Sequence, residues 1–308
     1  MNPNQRYIII ALYKFSKVDD PKELQQSLKQ LCSPLGIKGT LIVAKEGING
    51  TVAGTREAID SLLSFLKANP FFSDLEHKES IAEEMPFFRL KVRLKNEIVT
   101  LGIPTVDPTI TAGAYVDPKD WNKLISDPSI IVVDTRNDYE VKIGSFKNAI
   151  DPNTKSFREF PDFIKKHLES KKNQRIAMYC TGGIRCEKST AYLRNLGFND
   201  VYHLKGGILK YLETVPEDQS LWQGECFVFD QRVAVKHGLE EGEHELCFGC
   251  RNPISAEDKS SPHYKEGICC PQCHDTRSSE QINRAQQRQK QITLAKKRGQ
   301  VHMGYVYE

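Results

Sequence analysis

Neither sign of charge dominates this chain, and no long apolar run interrupts it. Its 43 lysines and arginines stand against 40 aspartates and glutamates, a formal net charge of +3. The whole-chain balance therefore neither demands nor excludes a polyanionic partner, and any such argument has to be local. The short apolar run from Tyr7 to Leu12 is too brief for a signal-peptide core with its flanks and far too brief to span a bilayer. A cytoplasmic protein with no membrane partner is the expectation. What the chain does have is length for two or three domains, 308 residues, and an uneven set of nine cysteines. Five fall between Cys247 and Cys273 and two more are Cys180 and Cys186. In a reducing compartment such clusters serve as metal ligands or catalytic thiols more often than as disulfides.

The first hundred residues read as a ferredoxin-like α+β domain, spanning 1–105. A buried strand over 6–13 precedes a helix from Pro21 to Cys32 with Leu24, Leu28 and Leu31 on one face. A strand over Gly39–Ala44 then meets Gly47-Ile-Asn-Gly50, whose glycines suit a tight turn into Thr51-Val-Ala53. Thr55 is placed to cap a helix running to Lys67, and a last strand lies near Phe88–Leu94, giving the order β-α-β-β-α-β. In that last strand Leu90, Val92 and Leu94 alternate with Arg89, Lys91, Arg93 and Lys95. Two readings fit the four cations: a solvated sheet face, or a stripe that tracks RNA phosphates.

Residues 101–120 are rich in Pro, Gly and Thr and read as the linker into a second domain, the linker and domain together covering 106–222. Strand-like Ile130–Asp134, Ile176–Cys180 and Val201–Leu204 alternate there with helical segments, the pattern of an α/β domain with a parallel sheet. Cys180 ends one of those strands, and Thr181-Gly-Gly-Ile-Arg185 precedes a helix to about Asn195. That arrangement places the thiol at the carboxyl edge of the sheet, beneath the amides of a glycine turn and the positive end of a helix, which favours a thiolate and holds an anion beside it. Gly182 and Gly183 let the backbone curl its N–H groups inward, and Arg185 adds a fixed charge. Cys186 has two readings, as a thiol that resolves an oxidised Cys180 or as a small packing residue. Asp134, Arg136 and Glu140 read as scaffold: Asn137 and Glu140 have the spacing of a capping pair, and Arg136 can pair with a carboxylate.

The remaining stretch, 223–308, is Cys-rich. Cys247-Phe-Gly-Cys250 and Cys270-Pro-Gln-Cys273 are two C-x-x-C knuckles whose separation suits zinc held tetrahedrally by four thiolates, a structural site with no open position. Cys269, His263 and His274 are alternative ligands. After Cys273 the chain turns polar and basic, with Arg277, Arg284, Arg288, Lys290, Lys296, Lys297 and Arg298 outnumbering Asp275, Glu280 and Glu308. Such a tail is either a solvated segment or an RNA contact beside the knuckle.

The segment Cys180-Thr-Gly-Gly-Ile-Arg185 resembles the rhodanese active-site loop, in which a cysteine that becomes a persulfide is followed five residues later by arginine. Val133–Glu140 with Gly144 and Ala149-Ile150 resembles the early rhodanese motif, and Leu204-Lys-Gly-Gly207 the late one. Ser145 departs from the usual histidine, and cysteine-based phosphatases have a loop one residue longer. Glu46-Gly-Ile-Asn-Gly-Thr51, Cys180 to Lys188, Phe227-Val-Phe-Asp-Gln-Arg-Val233 and the paired knuckles together resemble the rhodanese-containing tRNA uridine hydroxylases over nearly the entire chain. The resemblance implies conversion of the wobble uridine of tRNA to 5-hydroxyuridine, with molecular oxygen as co-substrate, a reductant, and Cys180 as the active cysteine. No flavin fingerprint or non-haem iron triad accompanies it. Two rivals remain from other classes: a plain sulfurtransferase carrying a Cys180 persulfide, and a non-catalytic RNA-binding adaptor.

Overall fold

The computed structural model describes residues 6–299, which fall into two compact units, 6–226 with 236–240 and 227–235 with 241–299. The first unit begins with the ferredoxin-like layer. Strand β1 (Tyr7–Phe15) buries Ile8, Ile9, Ile10 and Leu12. Helix α1 (Pro21–Cys32) starts where Asp20 accepts the amides of Lys22 and Glu23 with Pro21 at its first position, and turns Leu24, Leu28 and Cys32 inward. Strands β2 (Lys38–Ala44) and β3 (Gly47–Gly54) follow, then helix α2 (Arg56–Ala68), capped by Thr55, and strands β4 (His77–Ala82) and β5 (Leu90–Leu94). The sheet order is β4-β1-β3-β2-β5, with β5 parallel to β2 and the other pairs antiparallel.

Two expectations are corrected here. The hairpin turns at Lys45-Glu46, not within Gly47–Gly50. Those glycines belong to β3 because strands approach too closely for a side chain: a Cβ at Gly47 would lie 1.9 Å from the Lys14 carbonyl oxygen, and one at Gly50 would lie 2.2 Å from that of Thr40. The strand near Phe88–Leu94 is a fifth strand, and β4 is the one that completes the ferredoxin-like order beside β1. It carries His77-Lys-Glu-Ser-Ile-Ala82 with Ile81 exposed, so as an edge strand it has no apolar alternation to betray it.

The stretch read as a linker is structured. Leu101 and Val106 are buried in the core of the α/β layer, and helix α3 (Pro108–Thr111) leads into strand β6 (Ala114–Val116). Proline and glycine there mark turns between short buried pieces. Helix α4 (Pro118–Ile125), β7 (Ile130–Asp134), α5 (Asp138–Val141), β8 (Gly144–Phe146), α6 (Phe160–His167), β9 (Arg175–Tyr179), α7 (Ile184–Asn195), β10 (Val201–Leu204) and α8 (Gly207–Thr214) complete the layer. The strand order β6-β10-β9-β7 is all parallel, and the apolar runs of β7 and β9 are buried, as a sheet covered on both faces requires.

The second unit is built around the cysteines. Two short antiparallel strands, Glu245–Leu246 and Pro253–Ile254, flank the first knuckle, and helix α9 (Ala256–Ser260) follows. The basic tail is helix α10 (Ser279–Lys297), begun by a reciprocal Ser278–Gln281 cap. It is mostly polar, with Ile282, Ala285, Ile292, Leu294 and Ala295 its apolar residues and Ala285 alone buried, so its apolar signal is weak, although Ala, Gln, Lys and Arg favour helix. Glu308 lies outside the described residues. No helix among the described residues is long and apolar enough to cross a membrane.

Candidate active site and metal-ligand cluster

Cys180 sits one residue beyond β9, and α7 begins at Ile184, so Arg185 and Cys186 lie in the first helical turn rather than before it. Gly183, at φ +106, supplies the left-handed residue that turns the chain from strand to helix, and its amide donates to Cys180 Sγ at 3.1 Å. Burial alone would raise the pKa of this thiol. Hydrogen bonding from the Cys186 thiol, the charge of Arg185 and the amides of Cys186 and Gly183 outweigh that burial and bring the Cys180 pKa down to about 5. Burial and the neighbouring Cys180 push Cys186 well above the ordinary thiol value, so at neutral pH it is a proton-bearing donor, with Thr135 Oγ1 also 3.4 Å away.

Arg185 does not reach freely into the pocket. Its two terminal nitrogens meet Glu140 at 2.6 and 2.7 Å, and one also reaches Thr181 Oγ1 at 3.2 Å. Burial would raise the Glu140 pKa, but Arg185 and Arg136 hold it below the usual carboxylate range. Glu140 accepts the Asn137 amide as well, so one carboxylate caps α5 and anchors the cysteine loop. Behind it Arg136 is fully buried, forked onto Asp134 and donating to the Gly144 and Glu140 carbonyls. Ile184 packs towards Tyr13 and Phe15.

The ferredoxin-like layer closes over this loop, which the sequence did not foretell. Lys78 on β4 donates to the Gly182 carbonyl at 3.0 Å, and Tyr13 on β1 donates to Glu187 at 3.0 Å. A Cβ on Gly183 would lie 2.9 Å from the Tyr13 hydroxyl, so that hydroxyl stands directly against the glycine whose amide holds the sulfur. Glu187 also bonds Tyr115, and burial raises its pKa. One turn on, Lys188 is 1% exposed and bonds Glu46 at 2.8 Å, Glu97 at 2.7 Å and the Val99 carbonyl at 3.1 Å. Glu46 and Asn49, both from the Glu46–Thr51 motif, hold the amide and carbonyl of Ile98. That motif is thus a clamp between the two layers. Cys180 itself has no exposed surface.

The four knuckle cysteines converge. The sulfurs of Cys247, Cys250, Cys270 and Cys273 lie within 4.8 Å of one another, with contacts of 4.0 Å (Cys247–Cys273), 3.8 Å (Cys250–Cys270) and 3.9 Å (Cys270–Cys273). Tetrahedral bonds of about 2.3 Å to one zinc ion place sulfurs about 3.8 Å apart, so the set fits a metal of that kind. Cys269 points elsewhere, its sulfur on the His263 carbonyl, and the His263 and His274 rings lie 4.5 Å apart and tilted. Arg89, Arg93 and Lys95 are exposed and Lys91 half-buried along the β5 edge, while Leu94, expected inside, is 45% exposed because the strand outruns the core.

A family model described as the UPF0176 acylphosphatase like domain matches residues 7–98, and one described as the Rhodanese-like domain matches 117–214. A protein of Agrobacterium fabrum is 57% identical over 298 residues, covering 97% of this chain and 95% of its own. One of Rhizobium leguminosarum bv. trifolii is 58% identical, covering 97% and 96%. Both carry the name tRNA uridine(34) hydroxylase. Among solved structures, a rhodanese-like domain from Anabaena sp. is 20% identical with a TM-score of 0.30, covering 36% of this chain and 78% of its own.

Proposed function

The chain belongs to the tRNA uridine(34) hydroxylase family, and from that membership we propose that it converts the wobble uridine of cytoplasmic tRNA to 5-hydroxyuridine with Cys180 as the active thiolate. The observation that carries the residue assignment is the Gly183 amide on a sulfur whose pKa is brought down to about 5. A thiolate is the nucleophilic form of cysteine, and this one is ionised throughout the neutral range.

Addition of the thiolate to C6 of the uracil makes C5 carbanion-like, with the charge delocalised onto O4. C5 then takes one atom of molecular oxygen, the second leaves as water using two electrons from an external reductant and two protons, and loss of the C5 proton with expulsion of Cys180 restores the ring. Glu187, its pKa raised by burial and hydrogen-bonded to the Tyr13 hydroxyl that stands against the cysteine loop, is the carboxyl suited to carry protons. Lys78 supplies a cation next to the loop. Incubating the protein without oxygen with tRNA bearing 5-fluorouridine at position 34 is expected to give a denaturation-stable adduct at Cys180. Continued hydroxylation of ordinary tRNA by a protein that forms no such adduct would contradict addition at C6.

The same donors can hold the outer sulfur of a persulfide. A one-sulfur mass gain on Cys180 from thiosulfate, with turnover and no 5-hydroxyuridine, would favour the sulfurtransferase reading instead.

The cysteine cluster is assigned zinc, held by Cys247, Cys250, Cys270 and Cys273 with a structural role, because four thiolates leave no position for substrate. The Cys270 amide, 3.4 Å from Cys273 Sγ, supports that ligand from outside. Elemental analysis is expected to find one zinc per chain, and Cys247→Ser to lose it and unfold the second unit, since binding energy of about 10–16 kcal/mol at such sites is folding energy. A zinc-free preparation with this unit intact contradicts the assignment.

A further inference from the structure

The first cysteine knuckle holds an unpaired combination. Phe248, between ligands Cys247 and Cys250, leaves 40% of its surface in solvent although a large aromatic ring gains by burial. Its position is fixed from both sides: the Cys247 amide and carbonyl close the knuckle through Asn252 and Arg251, and Arg288 of α10 donates to the Phe248 carbonyl at 2.9 Å. The Arg251 guanidinium lies 5.3 Å from the centre of the ring. Arg277 approaches the same knuckle, since a Cβ on Gly249 would meet its Nη1 at 2.8 Å. Burial and the charges of Arg251 and Arg277 push the Arg288 pKa down.

None of these three arginines has a carboxylate partner among the described residues, whereas Arg284, one turn before Arg288 on α10, pairs with Glu280. Four thiolates on a divalent ion carry two negative charges, which offsets part of the excess. That compensation accounts for arginines near the metal; it gives no reason for a rigid, exposed phenyl ring in their midst. An open groove of about 430 Å³ runs along α10, lined by Arg284, Gln287, Arg288, Lys290 and Gln291, and shares Arg288 with the knuckle.

A part-exposed aromatic ring with a guanidinium over one face, beside a basic polar groove, matches the chemistry of an unstacked nucleobase followed by its phosphates. We propose that Phe248, Arg251 and the α10 groove form a binding site for an unpaired segment of RNA, the base stacking on Phe248 and the backbone following Arg288 and Lys290. The inference rests on tRNA being the substrate and gives the second unit the task of holding it, apart from the chemistry at Cys180.

The test is fluorescence anisotropy of the full-length, zinc-loaded protein with unmodified tRNA and with a single-stranded oligoribonucleotide, across a salt series. Phe248→Ala is expected to weaken both complexes about tenfold, a typical loss for one stacked base, and Phe248→Tyr to keep wild-type affinity. Arg251→Glu, which changes an exposed side chain and keeps the backbone amide that closes the knuckle on Cys247, is expected to weaken binding and to lower the slope of log affinity against log salt by about one to two. Zinc content equal to wild type certifies that the variants are folded. Wild-type affinity and salt slope in both Phe248→Ala and Arg251→Glu would overturn the proposal, as would failure of the wild-type protein to bind either RNA. Wild-type protein that binds through this face yet leaves uridine 34 unmodified would sink the hydroxylase reading and leave the RNA site standing.

Discussion

Cys180→Ser is expected to lower hydroxylation of tRNA by about a thousandfold or more while leaving the fold intact. The magnitude follows from ionisation. With its pKa near 5 the native thiol is almost wholly thiolate at neutral pH, whereas a serine hydroxyl at the same position is not ionised and is a poor nucleophile without an adjacent base. Serine is smaller than cysteine, makes the same kind of contact with the Gly183 amide and opens little space. The far-ultraviolet circular dichroism and zinc content should be unchanged. The pH dependence gives the same conclusion independently. A group whose folded pKa is depressed is active above that value and is lost as pH falls through it, so single-turnover hydroxylation should be level from neutrality down to about pH 6 and fall about tenfold per unit below 5. A limb centred near the ordinary thiol value, about 8.5, would mean that the amide and arginine do not act on this sulfur.

Glu140→Gln is expected to destabilise the first unit by about 3–5 kcal/mol, the usual cost of removing one partner of a buried ion pair. For a unit of this size that is a fall in Tm of about 10 °C. Glu140 is wholly buried and binds both terminal nitrogens of Arg185 while accepting the Asn137 amide. The amide side chain keeps the shape but supplies only one acceptor oxygen, and it leaves a buried guanidinium without its counter-charge. Because the folded pKa of Glu140 is depressed, the stability it supplies is complete above the ordinary carboxylate range and is lost as pH falls through the folded value. Wild-type stability should therefore drop in acid more steeply than that of Glu140→Gln, and the two should converge. Equal melting temperatures at pH 7 would contradict the anchoring role. The surface pair Arg56–Asp60, both partners about half exposed, provides the contrast: breaking it should cost under about 1 kcal/mol.

The sequence was most legible where one local rule decided the outcome. Thr55 stands where a helix cap belongs, the apolar runs of β7 and β9 could only be buried strands, and the paired knuckles have a spacing that suits one metal. It was less legible where tertiary approach decided. Gly47 and Gly50 looked like turn residues, but their role is to let strands pass within contact of a carbonyl, a constraint invisible along one chain. β4 and α10 carry no apolar period because neither buries a continuous face. At the candidate site, Cys180, Gly183 and Arg185 were apparent from the loop itself. Tyr13 and Lys78 were not, since they come from strands more than a hundred residues away and act only because two layers close on each other. Glu46, Glu187 and Lys188 stood inside quoted motifs without a role, and only the contacts reveal that Glu46 and Lys188 join the layers while Glu187 bonds Tyr13 and Tyr115.

Cell-level chemistry offers the most direct test of the claim that the Cys180 thiolate makes 5-hydroxyuridine. Transfer RNA from a strain lacking this protein, complemented with either the native gene or Cys180→Ala, is digested and its nucleosides weighed by mass spectrometry. The account predicts 5-hydroxyuridine and its derivatives at position 34 with the native protein and their loss with Cys180→Ala. Wild-type levels of the modified nucleoside in the Cys180→Ala strain would contradict it.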